Sequence, residues 1–401
     1  MRPRKAALTF IFIAFLLDIL SIGLIIPVLP KLVEGFAGGD TSRAAFWYGL
    51  FATAFALMQF FCAPILGVLS DQYGRRPVLL VSCLGLGLDY LVMAMAPTLG
   101  WLFLGRLVSG ITAASFTTAN AYIADVTPPA KRAGSFGLLG AAWGIGFVVG
   151  PALGGLLGEM NPRLPFLVAA SLALANFCYG LFVLPESLPP RRRRPFAWTR
   201  ANPLGALRLL RSHPELFGLA TVSLLFFTAH SAFPSVFVLF TGYRFHWSAR
   251  TVGLMLALVG SCGVVVQGFL VRKAVARLGE RRALLIGLSS GVVMFLIYGL
   301  APTPMLFCLG VPFGAISGFY GPSVMSLMTR RVSRTEQGAL QGANGSLMAL
   351  TGLYSHALFS LVLSAAIGPY LAWGVPGAPF LLASALTLIA LLQAWRVTRP
   401  D

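Results

Sequence analysis

Asp18, Asp89 and Arg106 stand inside stretches of sequence that are otherwise apolar. A charge near the centre of a bilayer costs roughly 2.5–3.5 kcal/mol or more. Unpaired, the three would cost on the order of 8–10 kcal/mol, comparable to the net stability of a whole domain. They must therefore face a wet cavity or one another. Burial disfavours the ionised form of a carboxylate, whereas a neighbouring guanidinium favours it. A carboxylate under both influences can change protonation as a cavity opens first to one side and then to the other, which is the requirement for coupling to a proton gradient. The competing reading is a static Asp–Arg pair that fixes helix packing.

The surrounding composition says what must position these groups. The chain has 401 residues, 57% hydrophobic and 10% charged, against about 25% charged in ordinary soluble domains. Apolar runs of membrane-crossing length are expected at 7–29, 46–69, 77–96, 99–124, 135–158, 164–184, 216–241, 250–271, 282–301, 303–328, 338–366 and 373–395. Lacking the alternation of a barrel, they are read as helices, which satisfy their own backbone in lipid. The fold class is thus an all-α membrane protein of twelve transmembrane helices in two pseudo-symmetric six-helix halves. The opening Arg2-Pro3-Arg4-Lys5 and its apolar run resemble a signal peptide. The run continues to Leu29 and carries Asp18, so it is read as a retained first helix.

Of 30 Lys and Arg, 24 fall on the side of the termini and even-numbered connections, five fall on the other side (Lys31, Arg43, Arg163, Arg244, Arg250), and Arg106 lies inside a span. That bias places both termini in the cytoplasm. The formal charge of +18, spread between apolar segments, points away from nucleic acid. A basic connection at 185–215, containing Arg191 to Arg194, separates bundles at 1–184 and 216–401 and is read as an orientation signal and lipid-surface anchor. The halves echo one another: Gly74-Arg75-Arg76 recurs as Gly279-Glu280-Arg281-Arg282, and Leu104-Gly105 as Leu309-Gly310, both 205 positions later. Such a parallel repeat is the plan of a rocking transporter with its site near mid-membrane.

The connection Gly67 to Arg76 has glycine at 67 and 74, which suits a tight turn between helices, and Asp71 is expected against a helix N-terminus. Gly144, Gly146, Gly150-Pro151 and Gly154-Gly155 give the fifth span small residues for backbone-to-backbone packing and a proline bend. Gln59, Asn120, Gln267 and Asn344, with the span histidines His230 and His356, are candidates for lining a substrate cavity, each with helix–helix hydrogen bonding as its alternative. Cys62, Cys83, Cys178, Cys262 and Cys308 lie in apolar segments without metal-ligand spacing.

These residues resemble the major facilitator superfamily along the whole chain. Gly67-x-x-x-Asp71-x-x-Gly74-Arg75-Arg76 resembles its loop signature and Arg106-x-x-x-Gly110 its fourth-helix motif. Gly146-x-x-x-Gly150-Pro151-x-x-Gly154-Gly155 resembles the fifth-helix signature of the drug:proton antiporter branch. Leu17-Asp18 with Ile22-Gly23-Leu24-Ile25, Ala56-Leu57-Met58-Gln59, Leu88-Asp89-Tyr90 and Glu336 to Gly342 are similar to the tetracycline-efflux family. The resemblance implies proton-coupling and substrate-handling roles for Asp18, Asp89 and Arg106. It implies gating roles for Gly67, Asp71, Gly74, Arg75, Arg76, Gly146, Gly150, Pro151 and Gly154, and a cytoplasmic lock involving Asp125 and Arg132. Gly291 and Gly263 stand where enterobacterial members carry an acid and a histidine, and Gln72 replaces a basic loop residue. These departures point away from tetracycline itself and leave coupling to the N-terminal half.

The expectation is a secondary transporter, not an enzyme, that exports a small amphipathic drug-like compound against protons. It is expected in the bacterial inner membrane as a monomer in contact with lipid, with the proton gradient as energy source and no cofactor. A major facilitator transporter of a sugar or another metabolite, as exporter or proton symporter, is the alternative, and a non-transporting membrane protein (an enzyme, a receptor or an assembly scaffold) is the other class.

Overall fold

A computed structural model describes residues 3–113, 115–128, 132–198, 202, 210, 214–333 and 336–399. Helices account for nearly all of them, and no strand occurs among the described residues. In chain order the long helical stretches are Pro3–Ile25, Thr41–Tyr73, Arg75–Met95, Leu99–Thr112 followed by Ser115–Val126, Arg132–Met160 and Leu164–Phe182; then Pro214–His230 followed by Ala232–Phe245, Ala249–Val265, Val271–Leu300, Gly310–Ser317 followed by Tyr320–Thr329, Gln337–Ile367 and Ala378–Val397. Local chemistry marks several starts. Pro165, Pro304 and Pro379 occupy first-turn positions, where a missing N–H has no helical partner to lose. Thr303 caps the Pro304 turn by accepting the Leu306 N–H.

Eleven described segments are long and apolar enough to cross a membrane. One of them, Ala249–Leu300, has 52 residues. Straight, it would run about 78 Å, far beyond about 30 Å of hydrocarbon. It is broken at Gly279, whose φ of 79° and ψ of 161° lie outside helical space. Twelve expected crossings are consistent with eleven segments of which one is double length and bent.

The chain divides into two compact units, each described by itself: residues 1–36, 54–202 and 248–257 form the first, and residues 37–53, 203–247 and 258–401 the second. In the first unit, helix Pro3–Ile25 packs against Arg132–Met160 and Leu164–Phe182, and Arg75–Met95 against Leu164–Phe182. Its core gathers Ile11, Phe15, Ile19, Leu79, Tyr122, Ile123 and Leu139. Helices Pro3–Ile25 and Arg132–Met160 meet backbone to backbone. A methyl group on Gly150 would lie 2.7 Å from the Gly23 Cα, and one on Gly154 would strike the Leu24 backbone. In the second unit, Val271–Leu300 and Pro214–His230 both pack on Ala378–Val397. Phe237, Phe240, Tyr298, Phe307 and Phe380 form a buried aromatic cluster there. Large apolar side chains also point outward, among them Phe61, Leu104, Ile389 and Leu392, each about half exposed. On a soluble protein such patches would drive association; here they meet acyl chains.

Candidate functional site

Asp89, on helix Arg75–Met95, and Arg106, on Leu99–Thr112, form an ion pair between Oδ2 and Nη2. The Asp89 side chain is fully buried and that of Arg106 is 11% exposed. Gly105 makes the approach possible, since any side chain there would press on Asp89 Oδ1. The guanidinium also lies 5.5 Å from the centroid of Phe55, a cation–π contact that helps offset its desolvation. The Ser109 hydroxyl, on the same helix as Arg106, lies beside the Asp89 carboxylate as a further hydrogen-bonding group. Buried polar atoms are usually satisfied, and a carboxylate flanked by a guanidinium and a hydroxyl can hold either protonation state without being stranded in hydrocarbon.

Asp18 lies on helix Pro3–Ile25 and is 3% exposed. It borders a small cavity with Cys83, Asn176, Phe15, Leu79 and Gly180. The Asn176 amide donates to the Ala14 carbonyl at 2.8 Å and to Asp18 Oδ1 at 3.5 Å, and Cys83 Sγ stands 4.0 Å from the same oxygen. The sequence suggested that both acids work against Arg106. The structure pairs Arg106 with Asp89 and seats Asp18 beside Asn176 and Cys83. Asn176 was missed, although an amide in the middle of span 164–184 is the same signal that singled out Gln59 and Asn120.

The loop signature folds into a compact charge cluster. Gly74 turns the chain with φ 112°, a region that favours glycine. Arg75 reaches Asp71 Oδ1 at 2.6 Å, Asp125 Oδ2 at 3.1 Å and Ser70 Oγ at 2.6 Å. Ser187 donates to the same Asp125 oxygen at 3.2 Å. Two expectations need correction. Gly67 lies within helix Thr41–Tyr73 with nothing near its Cα side, so Gly74 alone makes the turn. Asp71 pairs with Arg75, and the carboxylate at the helix N-terminus is Glu186, which accepts from the backbone N–H of Arg75 at 2.9 Å and of Arg76 at 3.3 Å. An anion there meets the positive end of the helix dipole. Glu186 was missed; its signal is an isolated acid just before the arginine-rich stretch. The Arg76 side chain donates to the carbonyls of Gly180 and Leu181. The Arg132 side chain lies outside the described residues.

The second unit repeats this arrangement with its charges exchanged. Gly279 again has positive φ. Glu280 pairs with Arg330, at the positions 205 beyond Arg75 and Asp125. Arg281, the counterpart of Arg76, donates to Thr398 just past helix Ala378–Val397.

Gly146, Gly150, Pro151 and Gly154 all lie on helix Arg132–Met160, and the three glycines face helix Pro3–Ile25. The six candidate binding residues divide between the units. Gln59 is exposed and Asn120 half-buried in the first unit. In the second, Gln267 is exposed within the π-turn Val266–Leu270, and Asn344 Oδ1 is buried without a partner among the described residues. His230 stacks on Phe226 with ring centroids 3.8 Å apart and contacts Ser317 Oγ at 3.3 Å. Gly291 packs beside that imidazole: a Cβ there would lie 3.7 Å from His230 Cε1. His356 Nδ1 meets Ser235 Oγ at 2.8 Å, and Thr228 meets Tyr354 at 2.7 Å. The last two contacts tie together helices that the sequence did not pair.

Comparison with known proteins agrees with this architecture. Residues 11–356 match the family model described as Major Facilitator Superfamily. The chain is 37% identical over 373 residues to the tetracycline resistance protein, class C, of Escherichia coli, covering 91% of this chain and 92% of that protein. It is 37% identical over 372 residues to the class G protein of Vibrio anguillarum, covering 89% and 90%. The crystal structure of the human organic anion transporter MFSD10 (TETRAN) superposes with a TM-score of 0.71 at 26% identity, covering 98% of this chain and 100% of that one. That of a D-xylose-proton symporter superposes with a TM-score of 0.77 at 16% identity, covering 98% of each, a likeness of fold alone. A chain with eleven crossing-competent segments and these relatives is a multi-pass transporter, not an enzyme, and it belongs to the major facilitator superfamily, within its tetracycline-resistance family.

Proposed function

We propose that the chain exports a small amphipathic, drug-like compound from a bacterial cytoplasm in exchange for protons, acting as a monomer in the inner membrane with both termini inside. The observation that carries this reading is the buried Asp89–Arg106 ion pair inside a membrane-crossing segment. A proton arriving from outside neutralises Asp89 or Asp18. Protonated Asp89 releases the full charge of Arg106, which favours the inward-opening state. Loss of the proton to the cytoplasm restores the pair and readies the protein for cargo. Proton and cargo then act by stabilising different states of one rocking protein. One proton moving down 100 mV supplies about 2.3 kcal/mol, enough for roughly a fiftyfold gradient of cargo. No cofactor is required, because the gradient provides the energy.

The names of the 34–37% identical relatives support a tetracycline-like cargo. The second unit has glycine at 263 and 291, so its candidates for handling cargo are uncharged side chains such as Gln267, Asn344 and the two histidines; those of the first unit are Gln59 and Asn120. Asp71, Arg75, Arg76 and Asp125 form the cytoplasmic lock, with Gly74 as its turn and Gly67 on the helix before it. Gly146, Gly150, Pro151 and Gly154 let the packed helices move as one. Inverted membrane vesicles carrying the protein should accumulate at least one compound from a panel that includes tetracycline when a pH gradient is imposed, and lose it when the gradient is collapsed. Uptake indifferent to the gradient would exclude proton exchange.

A further inference from the structure

The segment that leaves helix Leu164–Phe182 carries more positive charge than the lock uses. Of the four consecutive arginines, Arg193 is half-buried and ties the chain to itself, its Nε donating to the Leu188 carbonyl at 3.4 Å. Arg191, Arg192 and Arg194 are exposed, and none of them is in an ion pair among the described residues. Prolines at 189, 190 and 195 restrict the backbone, and Pro190–Arg192 forms a 3-10 turn, so the backbone that carries the arginines has little entropy left to lose. Just beyond them Phe196 and Trp198 pack edge to face at 4.9 Å, with Trp198 72% exposed. Just before them Phe182 is 82% exposed.

We propose that Pro189–Trp198 is a binding site for the phosphate headgroup of an anionic phospholipid, and that its occupancy steadies the cytoplasmic lock. Guanidinium groups hold phosphate oxygens in a planar, bidentate fork, and juxtamembrane arginines are drawn to anionic lipid surfaces. Exposed rings on both sides of the arginines select a lipid over a soluble anion, because the amphipathic Trp198 settles at headgroup depth and the apolar Phe182 ring suits acyl chains. The link to the lock is a backbone bond: the Arg194 N–H donates to the Asp71 carbonyl at 3.1 Å.

The test uses the full chain in a zwitterionic or uncharged detergent and does not depend on cargo or on proton exchange. Its thermal midpoint is measured with added phosphatidylglycerol, phosphatidylcholine or glycerol 3-phosphate, for the wild type, for R191Q/R192Q/R194Q and for R191K/R192K/R194K. Phosphatidylglycerol should raise the wild-type midpoint above the phosphatidylcholine value, the glutamine variant should lose that difference, and the lysine variant should keep part of it. Hydrogen exchange at residues 71–76 should slow about fivefold with phosphatidylglycerol in the wild type, and not in the glutamine variant. Equal shifts with the two lipids, or a glutamine variant that responds like the wild type, overturn the site. A shift reproduced by glycerol 3-phosphate assigns it to a soluble anion and overturns the lipid. Exchange that does not change at 71–76 overturns the coupling.

Discussion

Arg106 is held by Asp89 and Phe55, and this predicts how substitutions there behave. Asp89→Asn leaves a guanidinium buried without its counter-charge, which costs about 3–5 kcal/mol when a buried pair is broken from one side. Asp89→Asn combined with Arg106→Gln should cost less than Asp89→Asn alone; denaturation of the purified protein in detergent measures both. Losses that simply add would show that the pair is not coupled. Asn176 has a different task, since it donates to Asp18 at the edge of a cavity. Asn176→Leu should slow pH-gradient-driven transport about tenfold, the loss of one hydrogen bond to a charged group, and Asn176→Gln should recover part of it. Asp18, Asp89 and Arg106 are legible in the sequence because a charge in an apolar run demands an explanation. Asn176 and Glu186 act through partners 158 and 111 positions away, and only the folded chain reveals such pairings.

At the scale of elements, glycines on one helix separate sharply. Gly150 touches the backbone of helix Pro3–Ile25, whereas Gly140 on the same helix has open space around it. Gly150→Ala should therefore lower the melting temperature and the yield of folded protein. Gly140→Ala should be neutral or stabilising by up to about 1 kcal/mol through helix propensity. Thermal melts of the two variants side by side decide it. The glycine spacing was legible in sequence; the identity of the facing helix was not, because spacing marks a close contact without naming the partner. The crossing segments were legible as apolar runs and Gly279 as the counterpart of Gly74, while the helix that persists on either side of Gly279 was not, since the arginine-rich stretch 272–281 reads as a loop. The charge-exchanged repeat supplies another test. Arg75 is 12% exposed and serves two carboxylates, whereas Arg330 is 68% exposed and pairs with one. Exposed pairs contribute about 0–1 kcal/mol. Asp125→Asn should thus destabilise more than Arg330→Gln, and equal losses in denaturation would contradict the view that burial makes the first cluster the stronger of the two.

For the whole molecule, the central claim is that a proton taken up by the two acids of the first unit drives cargo outward. The repeated loop-and-helix plan and the bias of basic residues were readable from the chain alone, because membrane topology imposes them on composition. The separate surroundings of the two acids were not, because they depend on which helices meet. The most direct test reconstitutes the full chain in liposomes and follows pH-gradient-driven transport of a compound selected in the vesicle screen, with wild type and Asp18→Asn/Asp89→Asn compared at equal reconstituted protein. The double variant should fall to the rate of protein-free liposomes while still binding the compound. Transport by the double variant at the wild-type rate would contradict the account.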